Sequence, residues 1–115
     1  MNRYENLMQR IEAGERIVID GATGTEVDRR GVPKIENAWN GGGTLSHPEV
    51  VREIHQDYIR HGAEIVISNT FPTHRHCLRD AGVEDQFEDF NRRAVELAIE
   101  ARTLMNKPDV LVAGG

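Results

Sequence analysis

Residues 16–25 read RIVIDGATGT, and this stretch decides the fold that we expect. Its first half, residues 16–20, is β-branched and apolar on both alternating faces, which is typical of a strand buried on both sides. The glycines at positions 21 and 24 then allow the backbone to turn sharply where the strand ends. We therefore predict a buried strand that leads into a glycine-rich turn and a helix.

The same order of strand, turn and helix continues along the chain. Residues 63–68 (AEIVIS) and 109–113 (DVLVA) predict a second and a third strand. The spacing of apolar residues, with glycines and prolines at the ends, predicts helices over 2–13, 25–30, 46–61, 73–81 and 84–105. Apolar strands that alternate with helices are typical of parallel sheets, so we expect an α/β chain of parallel (β/α) units.

Two of these helices have a more detailed signature. Ser46 and Glu49 stand at the spacing of a capping box, and Pro48 falls in the first turn. The helix over 84–105 should bury a side made of Phe87, Phe90, Ala94, Leu97, Ala98, Ala101, Leu104 and Met105. Apart from the helix over 25–30, residues 21–46 are predicted to be one long connection, and long loops in compact domains are often functional.

Composition limits the classes of function. A chain of 115 residues can form one domain with a hydrophobic core. Its net charge is −5 and no segment is strongly basic, which argues against a nucleic-acid binder. No apolar run approaches the roughly 18 to 20 residues that span a membrane, and the first residues lack a secretory signal. We expect a cytoplasmic protein with no membrane partner.

The turn over residues 20–25 carries the chemistry that we expect of this chain. Successive backbone N–H groups in such a turn can hold a carboxylate, and Asp20 can accept from an ammonium group. Together they would recognise both ends of an amino acid. The alternative is a plain glycine-rich turn in which Asp20 caps the next helix. A P-loop is excluded, because no Gly-Lys-Ser/Thr follows at the required spacing.

Several motifs in order give the chain a family resemblance. They are DGATGTE at 20–26, Trp39, SHPEVV at 46–51, HQDY at 55–58 and GAEIVISNTF at 62–71. In this order and spacing they resemble the homocysteine S-methyltransferase family, which includes the homocysteine module of cobalamin-dependent methionine synthase. The resemblance runs from about Ile17 to Gly115, where VAGG at 112–115 resembles the start of the family's third-strand segment.

The resemblance implies a fold and a reaction. Residues 1–115 would be the N-terminal part of a TIM (β/α)₈ barrel that binds homocysteine, truncated after the third strand. The family binds zinc through three cysteines, and the zinc-bound homocysteine thiolate takes a methyl group from a donor to give methionine. Cys77 is the only cysteine here and matches none of those ligands. We therefore expect no zinc and no catalytic residue in this chain, which alone would be inactive.

The resemblance also implies which residues bind the substrates. These are Asp20, Gly21, Ala22, Thr23, Trp39, Asn69, Thr70 and Phe71. The turn residues would contact the amino and carboxylate groups of homocysteine, and residues 69–71 would end the second strand at the same pocket. Trp39 would form a wall for the methyl donor, since an aromatic face suits a methylated cation. Pro72 stands where betaine-using members have an aromatic residue, which argues against betaine as the donor.

Other readings of single residues and of the whole chain remain open. His74 and Cys77 are predicted to lie at a solvated helix start, with an inert thiol, rather than in a metal site. His55 and His61 are predicted to be surface or hydrogen-bonded residues. Two other functions are a non-catalytic half-barrel that self-associates through its exposed sheet edges and a TIM-barrel enzyme that binds phosphate at residues 20–25.

Overall fold

A computed structural model describes residues 1–35 and 40–115 and contains a small parallel sheet with helices around it. The helices are α1 (Arg3–Glu12), α2 (Gly24–Arg29), α3 (Gly43–Ser46), α4 (Pro48–Arg60), α5 (Arg75–Asp80) and α6 (Phe87–Leu104). The strands are β1 (Ile65–Ile67) and β2 (Leu111–Ala113), and short 3₁₀ turns cover Asn40–Gly42 and Glu84–Gln86. All five predicted helices and the second and third predicted strands are confirmed, with ends that differ by a few residues.

The sheet is parallel, as predicted. Strands β1 and β2 pair with Val66 opposite Val112. On the other edge of β1, Ile19 forms an isolated parallel bridge with Ile65, and Asp20 N–H donates to the Ile65 carbonyl at 3.0 Å. Successive extended segments are therefore neighbours, as in a chain of (β/α) units. The described residues form an open sheet; a closed barrel is not seen among them.

One face of this sheet is covered by helices. Val66 in β1 is fully buried in a cluster with Ile59, Ala63, Ala98, Ala101 and Val110, which come mainly from α4, α6 and the strand ends. A second cluster, formed by Val27, Val32, Val51, Ile54 and Leu97, packs α2 against α4 and α6. Leu78 and Phe90 are the buried residues of a third cluster. The core of the chain therefore lies between the sheet and the α4–α6 pair.

The first predicted strand differs from expectation. Only Ile19 forms a bridge in residues 16–20, and its side chain is 54% exposed, so the prediction of a buried strand is wrong. Ile19 lies opposite Ile65, whose side chain alternates with that of buried Val66. Its side chain therefore belongs to the sheet face that turns away from α4 and α6. Val18, which points to the other face, is 58% exposed as well. The segment is therefore exposed on both faces at the edge of the sheet, and its apolar pattern alone does not bury it.

The connection over residues 21–46 is more structured than predicted. It contains α2, the 3₁₀ turn and α3, and Ser46 is the last residue of α3. The N-cap of α4 is therefore His47, which makes no side-chain cap, so the predicted capping box is wrong. Close packing explains the glycine run: a Cβ at Gly41 would lie 2.7 Å from Thr73 Cγ2.

Helices α1 and α6 mostly follow their sequence patterns. Asn2 and Glu5 form a reciprocal capping box at the start of α1. In α6 the predicted inner side is buried from Phe90 to Ala101 and partly buried at Phe87 and Met105. Leu104 is 60% exposed, and the prediction is wrong there. The helix ends there, beyond the surface that packs on the sheet. Among the described residues, no helix is long and apolar enough to cross a membrane.

Candidate functional site

A pocket of about 290 Å³ opens where the first extended segment and β1 end. Its lining residues are Gly21, Ala22, Thr23, Gly24, Thr25, Ile67, Ser68, Asn69, Phe71 and Pro72. The glycine-rich turn thus forms one wall and the residues after β1 form the other. Carboxyl ends of parallel strands are where α/β folds build their sites, which accounts for this position.

Asp20 lies next to this pocket and is buried. Its Oδ2 accepts a hydrogen bond from the Ile67 N–H at 2.9 Å, so the carboxylate ties the turn to the end of β1. Its Oδ1 is buried and has no partner within residues 1–35 and 40–115. Burial raises the pKa of this carboxyl group above its ordinary value, and the hydrogen bond from Ile67 opposes that shift. Asp20 does not itself line the pocket; its neighbour Gly21 does.

The backbone of the turn offers donors to the pocket. In the described parts of the chain, the N–H groups of Gly21, Ala22 and Thr23 have no hydrogen-bond acceptor. Helix α2 begins at Gly24 with Thr23 as its N-cap and without a side-chain cap. Asp20 therefore does not cap this helix, and the prediction of Asp20 as a helix cap is wrong. Successive unsatisfied N–H groups form a concave surface that favours an anion.

Tyr58 of α4 contacts the turn from the opposite side and was not predicted as a site residue. Its Oη donates to the Ala22 carbonyl at 2.8 Å. Burial raises the pKa of this phenol, and the charges of Glu26 and Asp20 raise it further. The apolar spacing of α4 correctly placed the ring on the inner face of the helix. It gave no information on the partner of the hydroxyl group.

The residues after β1 divide into those that line the pocket and those that do not. Asn69 is buried, lines the pocket and donates from Nδ2 to Thr44 Oγ1 at 3.3 Å. Thr70 does not line it: Thr70 Oγ1 accepts from the Gly115 N–H at 3.0 Å and so joins the ends of β1 and β2. Phe71 lines the pocket and is largely exposed.

The pocket also contains two residues that were not predicted, and one predicted residue cannot be placed. Ser68 and Pro72 line the pocket although the sequence did not single them out for substrate binding. Ser68 is buried at the end of β1, and strand-end positions of this kind are the signal that could have identified it. Trp39 lies outside the described residues.

The donor chemistry of the pocket does not fit a zinc ion. None of its lining residues is a cysteine, histidine, aspartate or glutamate. No group of three or more such residues that could hold a metal occurs in residues 1–35 and 40–115. The zinc implied by the family resemblance therefore has no ligand set in the described part of this chain.

The remaining histidines and the cysteine lie elsewhere. His74 is exposed and forms the N-cap of α5, as expected for a solvated helix start, and its Nε2 lies 3.0 Å from Cys77 Sγ. The sequence did not predict that contact. His61 is exposed as predicted, whereas His55 is fully buried and neither of its ring nitrogens has a partner among the described residues. The prediction of a surface or hydrogen-bonded His55 is wrong, because α4 turns this residue inward.

Comparisons with known proteins show the family to which this chain is similar. The family described as homocysteine S-methyltransferase matches residues 17–115. An S-methylmethionine–homocysteine S-methyltransferase of Pongo abelii is 31% identical over 95% of this chain and 28% of its own length. A selenocysteine methyltransferase of Astragalus bisulcatus is 36% identical over 81% of this chain and 28% of its own length.

A solved structure extends the comparison to the fold. The metallated form of a homocysteine methyltransferase of Escherichia coli matches with a TM-score of 0.80 and 29% identity. The match covers 98% of this chain and 40% of that protein. The chain thus spans less than a third of the length of the curated relatives above, and its architecture is that of one part of the larger protein.

Proposed function

The chain belongs to the homocysteine S-methyltransferase family, and from this premise we propose that it forms the part of a methyltransferase domain that binds the amino-acid end of homocysteine. The complete domain would be a TIM barrel in which a methyl group passes to homocysteine and gives methionine. Homocysteine and a methyl donor would be its small-molecule partners. Trp39 stays a predicted wall for the donor.

One observation carries this proposal. The turn over residues 20–25 combines three N–H groups without acceptors and a buried carboxylate oxygen of Asp20 without a partner. An α-amino acid carries a carboxylate and an ammonium group on one carbon, and it needs these two kinds of partner close together. We propose that the N–H groups hold the carboxylate. We also propose that Asp20 Oδ1, which is buried and closed off from the pocket, becomes the acceptor for the ammonium group when the amino acid binds.

We further propose that the described residues bind homocysteine without performing methyl transfer. In the family, zinc supplies an activated thiolate, but the pocket of this chain has no ligands for zinc. Zinc analysis of the purified chain should find less than one metal ion per molecule, and methyl transfer should be undetectable. Robust turnover that disappears in Cys77→Ser would contradict this proposal.

The binding proposal is tested by titrating the ¹⁵N-labelled chain with L-homocysteine. We expect the amide signals of residues 21–25 and 67–69 to shift. Asp20→Asn keeps the size of the side chain but removes its charge, and it should weaken binding at least about tenfold, as expected for a hydrogen bond to a charged group. Asp28→Asn removes the same charge at an exposed position of α2 and serves as the matched control.

The outcomes separate homocysteine from other ligands. Shifts that spread over the whole surface, or equal affinities of Asp20→Asn and Asp28→Asn, would contradict the proposal. Inorganic phosphate that shifts residues 21–25 while homocysteine does not would favour the phosphate-binding alternative.

We also propose that the isolated chain self-associates through the sheet. Ile19 and Val18 are exposed apolar residues at one edge, and Phe71 is exposed at the mouth of the pocket. Exposed strand edges and apolar patches favour pairing with a second copy. Sedimentation velocity should show a dimer or a larger species whose fraction rises with protein concentration. A single monomeric species at every concentration would contradict this proposal.

A further inference from the structure

Tyr58 of α4 contacts the glycine-rich turn over residues 20–25 and is partly buried. Its ring packs with the cluster that joins α2, α4 and α6, and its Oη donates to the Ala22 carbonyl at 2.8 Å. A Cβ on Gly21 would lie 3.1 Å from this oxygen. The absence of a side chain at position 21 therefore lets the ring come close to the backbone of the turn.

The hydrogen bond fixes the direction of one peptide group. In a trans peptide the carbonyl and the N–H point in opposite directions, and the described residues contain no cis peptide. The Ala22 carbonyl points to Tyr58, so the N–H of Thr23 in the same peptide points away from α4. Both Ala22 and Thr23 line the pocket, and this N–H has no acceptor in the described parts of the chain.

The same helix also holds the far end of α2. Arg30 follows α2 and donates to Asp57 Oδ2 at 2.7 Å, and it contacts Glu26 at 3.3 Å. Neighbouring residues of α4, Asp57 and Tyr58, therefore bind both ends of the segment from Ala22 to Arg30. Sites are placed most accurately when rigid elements hold them, and α4 is such an element here.

We propose that Tyr58 is a positioning residue, which holds the Ala22–Thr23 peptide so that the Thr23 N–H donates to the carboxylate of the bound amino acid. The inference rests on the proposed function and adds the residue that orients the donor. A tyrosine hydroxyl is protonated near neutral pH, and burial raises its pKa further, so it stays a donor. The phenol does not touch the substrate and is not a catalytic residue.

The first test needs no ligand. Tyr58→Phe keeps the ring and removes the hydroxyl group, and the Thr23 amide signal of the free protein should then move. Tyr4→Phe is the matched control, since Tyr4 is exposed and its hydroxyl has no partner in the described residues. If the Thr23 amide has the same chemical shift in Tyr58→Phe and wild type, the positioning role is refuted.

The second test separates positioning from a general loss of structure. L-Homocysteine is compared with 3-aminopropane-1-thiol, which is the same molecule without the carboxylate. Tyr58→Phe should weaken homocysteine binding about fivefold to tenfold, the usual worth of one hydrogen bond, and leave the affinity for the thiol amine unchanged. Equal weakening of both ligands, or unchanged binding of both, would overturn the inference.

These readouts also distinguish this inference from the proposed function. If wild type binds no homocysteine, the proposed function fails, and the Thr23 amide of the free protein alone decides whether Tyr58 fixes the peptide. If wild type binds homocysteine and Tyr58→Phe binds it equally well, the proposed function stands and the positioning role fails.

Discussion

The two faces of the sheet differ in how completely they are covered. On the face toward α4 and α6, Val66 of β1 has no exposed surface. On the opposite face, Ile65 and Ile67 are only half-buried, and Ile19 is 54% exposed. The apolar pattern of the strands is the same on both faces. Pattern therefore predicts which residues are able to be buried, while burial itself depends on what packs against them.

The candidate site lies where these two environments meet. On the covered side, Tyr58 and Asp57 hold the turn and α2 through short hydrogen bonds. On the other side, the pocket opens between the turn and the residues after β1. The turn is held by α4 on one side and faces the pocket on the other. It can therefore direct its N–H groups toward a ligand without a change of backbone conformation. The covered face thus gives the site its rigidity, and the following predictions test that contrast.

The largest expected effect is on the covered face. Leu97 of α6 is fully buried in the cluster with Val51 and Ile54. Leu97→Ala removes buried methyl groups and leaves a cavity, so the free energy of unfolding should fall by about 2 to 5 kcal/mol. Urea denaturation followed by circular dichroism measures this change.

The matched control lies on the same helix. Leu104 is the same residue type and is 60% exposed, so Leu104→Ala should change the free energy of unfolding by less than about 0.5 kcal/mol. A loss of similar size in both variants would mean that α6 is not buried along one side, and the contrast between the two faces would fail.

The covered face contains a buried histidine, His55, that makes the free energy of unfolding depend on pH. Burial lowers the pKa of His55 to about 4, below the value of about 6.5 of an unfolded chain. The folded protein therefore keeps His55 neutral while the unfolded chain takes up a proton. The stability linked to this group is fully present above about pH 6.5 and is lost as the pH falls toward 4, by up to about 3 kcal/mol.

Urea titrations between about pH 7.5 and 5 test this linkage. His55→Leu should remove the part of the pH dependence between about pH 6.5 and 5, which amounts to about 2 kcal/mol. His61→Leu is the control, because His61 is exposed at the end of the same helix. A pH dependence that survives in His55→Leu would show that another group is responsible.

Much of the fold was predictable from local patterns. The long helices were found because their apolar spacing and end signals agree, as for α1, which Gly14 closes, and α4 with Pro48 in its first turn. Short elements were missed because they are too short for an apolar pattern and depend on contacts with distant residues. Helix α3 has four residues. Close contacts from distant parts of the chain favour the glycines at its start and in the turn before it, such as Val27 against Gly43 and Thr73 against Gly41.

The site was predictable in position but not in detail. Strand-end rules correctly brought the turn over 20–25 together with Asn69 at one pocket. They could not show that Thr70 bonds to Gly115 or that Tyr58 bonds to Ala22, since both hydrogen bonds join residues far apart in sequence. Burial of His55 was missed although this residue stands four positions after Val51 and four before Ile59 on the apolar face of α4, because histidine is not a typical core residue.

The smallest expected effect on stability is on the uncovered face. Ile19→Thr keeps a β-branched residue that suits the bridge with Ile65. Because its side chain is 54% exposed, the free energy of unfolding of the monomer should change by less than about 0.5 kcal/mol at low protein concentration. Self-association should weaken in the same variant, because a hydroxyl group replaces apolar surface at the proposed contact. Urea denaturation and sedimentation velocity on the same samples measure both quantities. A loss of several kcal/mol in dilute samples would mean that Ile19 is buried within one chain, and the difference between the two faces would then disappear.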